Sequence, residues 1–120
     1  MSEIANLQAE IRAFADAREW SQFHTVRNLA LALAGEVGEL TAEIQWLSDT
    51  EAVPDLLKPQ KVAAIGSELA DVATYVLRLA DILGIDLAVA IRNKLELNES
   101  RYPVNKSRGN ALKYTEFGDS

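Results

Sequence analysis

Two short acid pairs, each set beside an apolar helical stripe, constrain this 120-residue chain more than any other feature. The first lies in NLALALAGEVGELTAEIQWL, from Asn28 to Leu47, where Leu33, Val37, Leu40, Ile44 and Leu47 recur at alternating spacings of four and three. That recurrence is the stripe of a core-facing helix. At about 100° per residue, Glu36, Glu39 and Glu43 fall within roughly 60° of one another beside the stripe, and Trp46 follows on the same side. Carboxylates crowded against an apolar seam repel one another unless positive charge compensates. Gly35 and Gly38 each cost about 1 kcal/mol relative to alanine inside a helix. Their presence predicts close approach by another helix or a ligand. With Ala30, Ala32 and Ala34 they predict a helix buried on two sides, at the centre of a bundle or at an oligomer interface.

The second pair repeats the pattern. Ile65, Leu69, Val72, Val76, Leu79 and Leu83 form another stripe, flanked by Glu68 and Asp71 three residues apart, with Tyr75 one turn later on the same face. One such pair reads most simply as a solvated helix face. Two pairs, both beside the seam and both followed by an aromatic residue, converge if the helices pack together. Four carboxylates with no thiolate and no second histidine would select a hard ion, Mg²⁺ or Mn²⁺.

The remaining chain reads as helices with defined ends. Ser2 fits the cap of a first helix carrying Ile4, Leu7, Ile11 and Phe14 to about Arg18, and Thr25 fits the cap of the second. Trp20 and Phe23 fall in the connection between them and are expected in the core. Ser48 to Gln60 is a connection with two prolines, Pro59 suiting the first turn of the third helix. Gly84 suits that helix's end, and Asp86 can cap a fourth through Leu87, Ile91 and Leu95 to about Asn98. Tyr102-Pro103 enforces an extended backbone, and residues 104–120, with Lys106, Arg108 and Lys113, show no period. The expectation is an all-α fold resembling a four-helix bundle, one domain over residues 1–120, with 104–120 as an irregular tail.

Inventory removes several chemistries. The chain has no cysteine, which excludes disulfides, thiolate zinc sites and cysteine nucleophiles. His24 is its single histidine, so Glu-x-x-His di-iron sites are absent, and nothing places a serine and an acid around His24 for a triad. GEVG lacks the GK[ST] ending of a phosphate loop and follows no strand. A net charge of −6 argues against a nucleic-acid partner. No apolar run reaches the ~18 residues of a membrane span and the N-terminus has no leader pattern. These features predict a soluble, cytoplasmic protein without a membrane partner.

The spacing Glu36-x-x-Glu39 then Glu68-x-x-Asp71 on a helical chain resembles the MazG-like family of nucleoside triphosphate pyrophosphohydrolases. WSQFHTVRNLALALAGEVGELTAEIQW, SELADV, NKLELNESRYP and the closing KYTEF resemble its dCTP pyrophosphatase branch, from about Ile11 to Phe117. The resemblance implies hydrolysis of a nucleoside triphosphate, dCTP or a modified dCTP, to the monophosphate and pyrophosphate as nucleotide-pool housecleaning. It implies Mg²⁺, with Mn²⁺ as substitute, on Glu36, Glu39, Glu68 and Asp71, and Glu39 is the candidate base. It implies a base pocket of Trp20, Trp46 and Tyr75. His24, otherwise an ordinary polar residue before a helix, and Arg27 of the same FHTVRN motif join them as substrate-binding candidates, as do Lys94, Asn98, Arg101 and Tyr102. It also implies a homo-oligomer, a dimer or a dimer of dimers. Two positions depart: vertebrate relatives carry histidine at Ile11 and relatives often carry proline at Val26. Competing expectations are broader deoxynucleotide specificity on the same fold, or a non-catalytic helical dimerisation module.

Overall fold

In the computed structural model, residues 2–118 are described and contain helices, turns and connections with no strand among them. Two compact units divide between Ile85 and Asp86.

The first unit begins with α1 (Glu3–Ala17), where the Ser2 hydroxyl accepts the Ala5 amide at 3.2 Å. The chain leaves α1 through Glu19 at φ 54°, a left-handed conformation unusual for a residue with a Cβ. The amide of Trp20 then donates to the Ala15 carbonyl at 2.9 Å. A single 3₁₀ turn (Ser21–Phe23) precedes α2 (Val26–Ala42), capped as expected by Thr25, whose hydroxyl accepts the Asn28 amide at 3.1 Å. The third helix, α3 (Pro59–Leu83), starts on Pro59 and ends at Gly84 in the left-handed region, φ 66°. It packs against both α1 and α2. The Gln8 side chain donates to the Leu77 carbonyl at 3.0 Å, and Arg12 forks onto Asp81 at 2.9 and 2.7 Å. Ala15 of α1, Leu29 of α2 and Ala80 of α3 are buried apolar residues.

Several expectations are corrected here. The second helix stops at Ala42 rather than Leu47, because its backbone tightens to three-residue spacing: Glu43 donates to Leu40 and Ile44 to Thr41. Thr41 also turns its hydroxyl back on the Gly38 carbonyl at 2.8 Å, a local competitor of regular helix. Nothing lies within 4 Å of a methyl group placed at Gly35 or Gly38, so neither glycine marks a close approach within the chain. Trp20 and Phe23 are 44% and 58% exposed and do not belong to the core.

Ser48 and Glu51 cap each other reciprocally across the connection to α3, Ser48 amide to Glu51 carboxylate and Glu51 amide to Ser48 hydroxyl. Lys61 pairs with Glu43 at 3.1 Å, tying the end of α2 to the start of α3.

The second unit holds α4 (Leu87–Arg101), capped by Asp86 through the Val89 amide at 3.1 Å, and α5 (Val104–Ser107). The fourth helix runs to Arg101, past the Asn98 expected, and stops before Pro103, which has no amide hydrogen to continue it. The segment expected to be an irregular tail contains α5 and a 3₁₀ turn (Tyr114–Glu116). Its Tyr114 and Phe117 pack edge-on against Tyr102 at 5.8 Å each. No helix among the described residues is long and apolar enough to cross a membrane.

Candidate functional site

Helical spacing does most of the work of building the acid cluster. Residues three apart on a helix share a face, so Glu36 and Glu39 project together from α2 toward Glu68 on α3. One carboxylate oxygen of each lies within 4.8 Å of the others. One oxygen of Glu36 and one of Glu68 are shut from solvent and have no hydrogen-bond partner. Loss of hydration raises the Glu36 carboxyl above the ordinary carboxylate range, and the charges of Glu39, Asp71 and Glu68 push it further. Glu68 is raised in the same way, by lost hydration first and then by Glu39, Asp71 and Glu43. Orphaned carboxylate oxygens converging without thiolate or imidazole are the donor set a hard divalent cation takes. The residues present therefore fit Mg²⁺ or Mn²⁺.

A cavity of about 490 Å³ opens beside this cluster, with Glu36 and Asp71 in its wall. From Asp71 the α3 face continues through Thr74 and Tyr75 to Arg78, all lining the cavity and spanning about 10 Å at 1.5 Å per residue. Ile11 and Phe14 of α1 and Trp20 and His24 of the following connection complete its apolar side. Trp20 stacks edge-on against Phe14 at 5.7 Å and stands 6.4 Å from the His24 ring. Glu19's left-handed backbone is the turn that brings Trp20 there.

Arg78 is the buried charge of this region, 6% exposed. Its Nε–H donates to Nδ1 of His24 at 3.1 Å, and its terminal nitrogens donate to the Ser21 hydroxyl at 3.3 Å and to Asp81 at 3.5 Å. Ser21 in turn donates to Asp16 at 2.6 Å. The Arg12 hydrogen bond is the main reason Asp81 stays below its ordinary value. His24 is lowered too, first by lost hydration and then by the Arg78 charge.

Residues 32–117, which contain both acid pairs, match the MazG-like family. The chain belongs to that family. Mouse dCTP pyrophosphatase 1 is 48% identical over 117 residues, 98% of this chain and 67% of the mouse protein, and its human counterpart is 44% identical over the same shares. A crystal structure of a pyrophosphatase from Archaeoglobus fulgidus superposes with a TM-score of 0.78 at 33% identity, covering 86% of this chain and 94% of that one.

Within this MazG-like chain, Glu36, Glu39 and Glu68 form the tight trio, while Asp71 stands beside it in the cavity wall. Trp20, His24 and Tyr75 line the same cavity. Trp46 does not. The early end of α2 removes it from the helical face on which the sequence expectation set it, and it stands 88% exposed. Glu43, expected with the acid cluster, is near enough for its charge to raise Glu68 and is also paired with Lys61. Arg27 lies in the first turn of α2, exposed and outside the residues lining the cavity. Lys94, Asn98, Arg101 and Tyr102 belong to the second unit, where Arg101 lies over the Tyr114 ring at 4.9 Å. Arg78 escaped the sequence reading. Its signal was present in YVLRLADIL, an arginine inside an apolar run, four and seven residues after Thr74 and Asp71.

Proposed function

We propose that this MazG-like chain hydrolyses a nucleoside triphosphate, dCTP or a modified dCTP, to the monophosphate and pyrophosphate, keeping the nucleotide pool clean. The observation that carries the reading is a cavity walled on one side by Asp71 and by Glu36, which has an unpartnered oxygen, and on the other by the rings of Tyr75, Trp20, Phe14 and His24. Its volume, about 490 Å³, suits a small ligand. Naming of the mammalian relatives as dCTP pyrophosphatase 1 supports the base assignment.

A triphosphate and this acid cluster repel each other directly. Bound Mg²⁺, or Mn²⁺ in its place, would offset that charge, polarise phosphoryl oxygen and acidify water. Glu36, Glu39, Glu68 and Asp71 would hold it. Glu39 is exposed, whereas Glu36 and Glu68 each keep an oxygen away from solvent. Glu39, exposed as Asp71 is, is our candidate to accept a proton from attacking water. The rings of Trp20 and Tyr75 wall the part of the cavity left for the base, where stacking contributes about 1–3 kcal/mol per base. Ile11 puts a hydrocarbon where vertebrate relatives carry histidine, which favours a broader choice of base than theirs. Lys94, Asn98, Arg101 and Tyr102 remain substrate-binding candidates, as does Arg27.

We also propose that the chain works as a homo-oligomer. Val37, Leu69 and Leu83 of the two apolar stripes stay exposed in the single chain, as does Trp46, which is free to meet a second copy. Product analysis after incubation with dCTP and Mg²⁺ tests the activity: dCMP and pyrophosphate are expected, and dCDP with phosphate would overturn it. A panel of deoxynucleoside triphosphates sets the base preference.

A further inference from the structure

Arginine carries five N–H donors, no acceptor, and keeps its proton at any working pH. The nitrogen of His24 that faces it must therefore offer a lone pair. The 3.1 Å hydrogen bond from Arg78 Nε to His24 Nδ1 is the geometry of a neutral ring that carries its proton on Nε2. We propose that Arg78 is a specificity-setting positioning residue, which locks His24 as the Nε2–H tautomer so that the ring gives the nucleobase a hydrogen-bond donor and selects bases presenting an acceptor there. The inference rests on the nucleotide reading above and deepens it.

Three observations carry it. Arg78 is itself immobilised: Ser21 and Asp81 hold its other nitrogens, and Asp81 is gripped from the far side by the Arg12 fork. Burial at 6% exposure gives the guanidinium little freedom to swing away. Ile11, Phe14, Ala15 and Trp20 give the cavity wall a hydrocarbon and aromatic part beside His24, with Glu10 and Tyr75 as further polar residues in the lining. The nearby Thr74 hydroxyl is engaged with the Ala70 carbonyl at 2.7 Å. An oriented donor on such a wall discriminates, because a ligand lacking the acceptor leaves it unpaired. The charge also balances locally, since Asp81 and Asp16 face Arg12 and Arg78 through the same network.

His24 is the chain's one histidine, so long-range proton–nitrogen correlation on the ¹⁵N-labelled protein reads its tautomer without ambiguity. The expected result is a protonated Nε2 and a bare Nδ1. In Arg78→Lys, which keeps the charge but not the Nε–H, and in Arg78→Met, the Nδ1–H form should gain population. The lysine variant keeps the test open if the methionine variant does not fold. For selectivity, kcat/KM is compared for dCTP and for analogues lacking the ring N3 or the O2 acceptor. The native protein should lose at least about 10-fold with one of them, and His24→Phe should shrink that loss to about twofold or less. An Nδ1–H ring in the native protein overturns the inference, as do an unchanged tautomer in both Arg78 variants and undiminished discrimination in His24→Phe. Should no nucleotide be hydrolysed, the functional reading fails on its own, and titration with dCMP decides this point separately. A shifted Nε2–H resonance supports the donor role, and an unmoved one overturns it.

Discussion

Glutamine in place of Glu68 isolates what the acid cluster does, since it keeps the shape and removes one charge. Glu68 has an unpartnered oxygen shut from solvent and three acid neighbours that raise its carboxyl. Without metal, the Glu68→Gln protein should melt no lower than the parent, because a repulsion has been removed. With metal the two should separate. A ligand at one hundred times its dissociation constant stabilises the folded state by about 2.7 kcal/mol. For 120 residues, with about 2.1 cal/mol/K of unfolding entropy each, that is a rise in Tm of roughly 10 °C. Calorimetry of both proteins over a Mg²⁺ series should show that rise in the parent and little of it in Glu68→Gln. Activity should fall by at least about 10²-fold in Glu68→Gln, as in Glu36→Gln, Glu39→Gln and Asp71→Asn. The pH dependence has a definite sign. Glu36 and Glu68 are raised in the fold, so the native state holds protons that the unfolded chain releases. Metal-free stability should therefore decline as pH climbs from the ordinary carboxylate range through the raised one, then level off. Glu68→Gln should flatten that decline. A parent whose Tm ignores Mg²⁺, or a Glu68→Gln protein that gains the same rise, refutes the two-helix metal site.

Gly38→Leu meets open space within the chain, so its folded monomer should form normally; if α2 is an oligomer interface, size-exclusion chromatography should show a smaller species. Trp46→Ala should shift stability by about 0.5 kcal/mol or less, as an exposed substitution does, while raising KM for dCTP if a second copy brings that ring to the site; a large drop in Tm would contradict the observed exposure. Glu19→Gly should stabilise by about 1 kcal/mol in denaturant titration, because glycine takes the left-handed backbone at φ 54° without the Cβ penalty. His24, held below its ordinary value, binds fewer protons folded than unfolded, so its contribution should be lost as pH falls below about 6.5; NMR titration should place it nearer that value in Arg78→Met.

Local chemistry decided much of this protein in advance. Ser2, Thr25 and Asp86 cap the helices they were expected to cap, since each side chain acts within three residues of itself. Pro59 and Gly84 bound α3 for equally local reasons, a missing amide hydrogen and a tolerated left-handed backbone. The acid pairs were legible because helical periodicity alone puts residues three apart on one face, while the packing of α2 on α3 is what brought Glu36, Glu39 and Glu68 together. Periodicity also misled. It carried α2 on to Trp46, although the backbone tightens after Ala42 around Thr41's hydrogen bond to Gly38. Gly35 and Gly38 have open space within the chain, which leaves a ligand or a second copy as the neighbour their presence predicts. Tertiary structure alone decided which polar groups answer one another across distance. Lys61 pairs with Glu43 at the edge of the acid cluster, and Arg12 holds Asp81 so that Asp81 can hold Arg78. The bond from Arg78 to His24 joins residues 54 positions apart. No local spacing encodes it, because a buried guanidinium takes its partners from whichever helices the packing brings within about 3 Å.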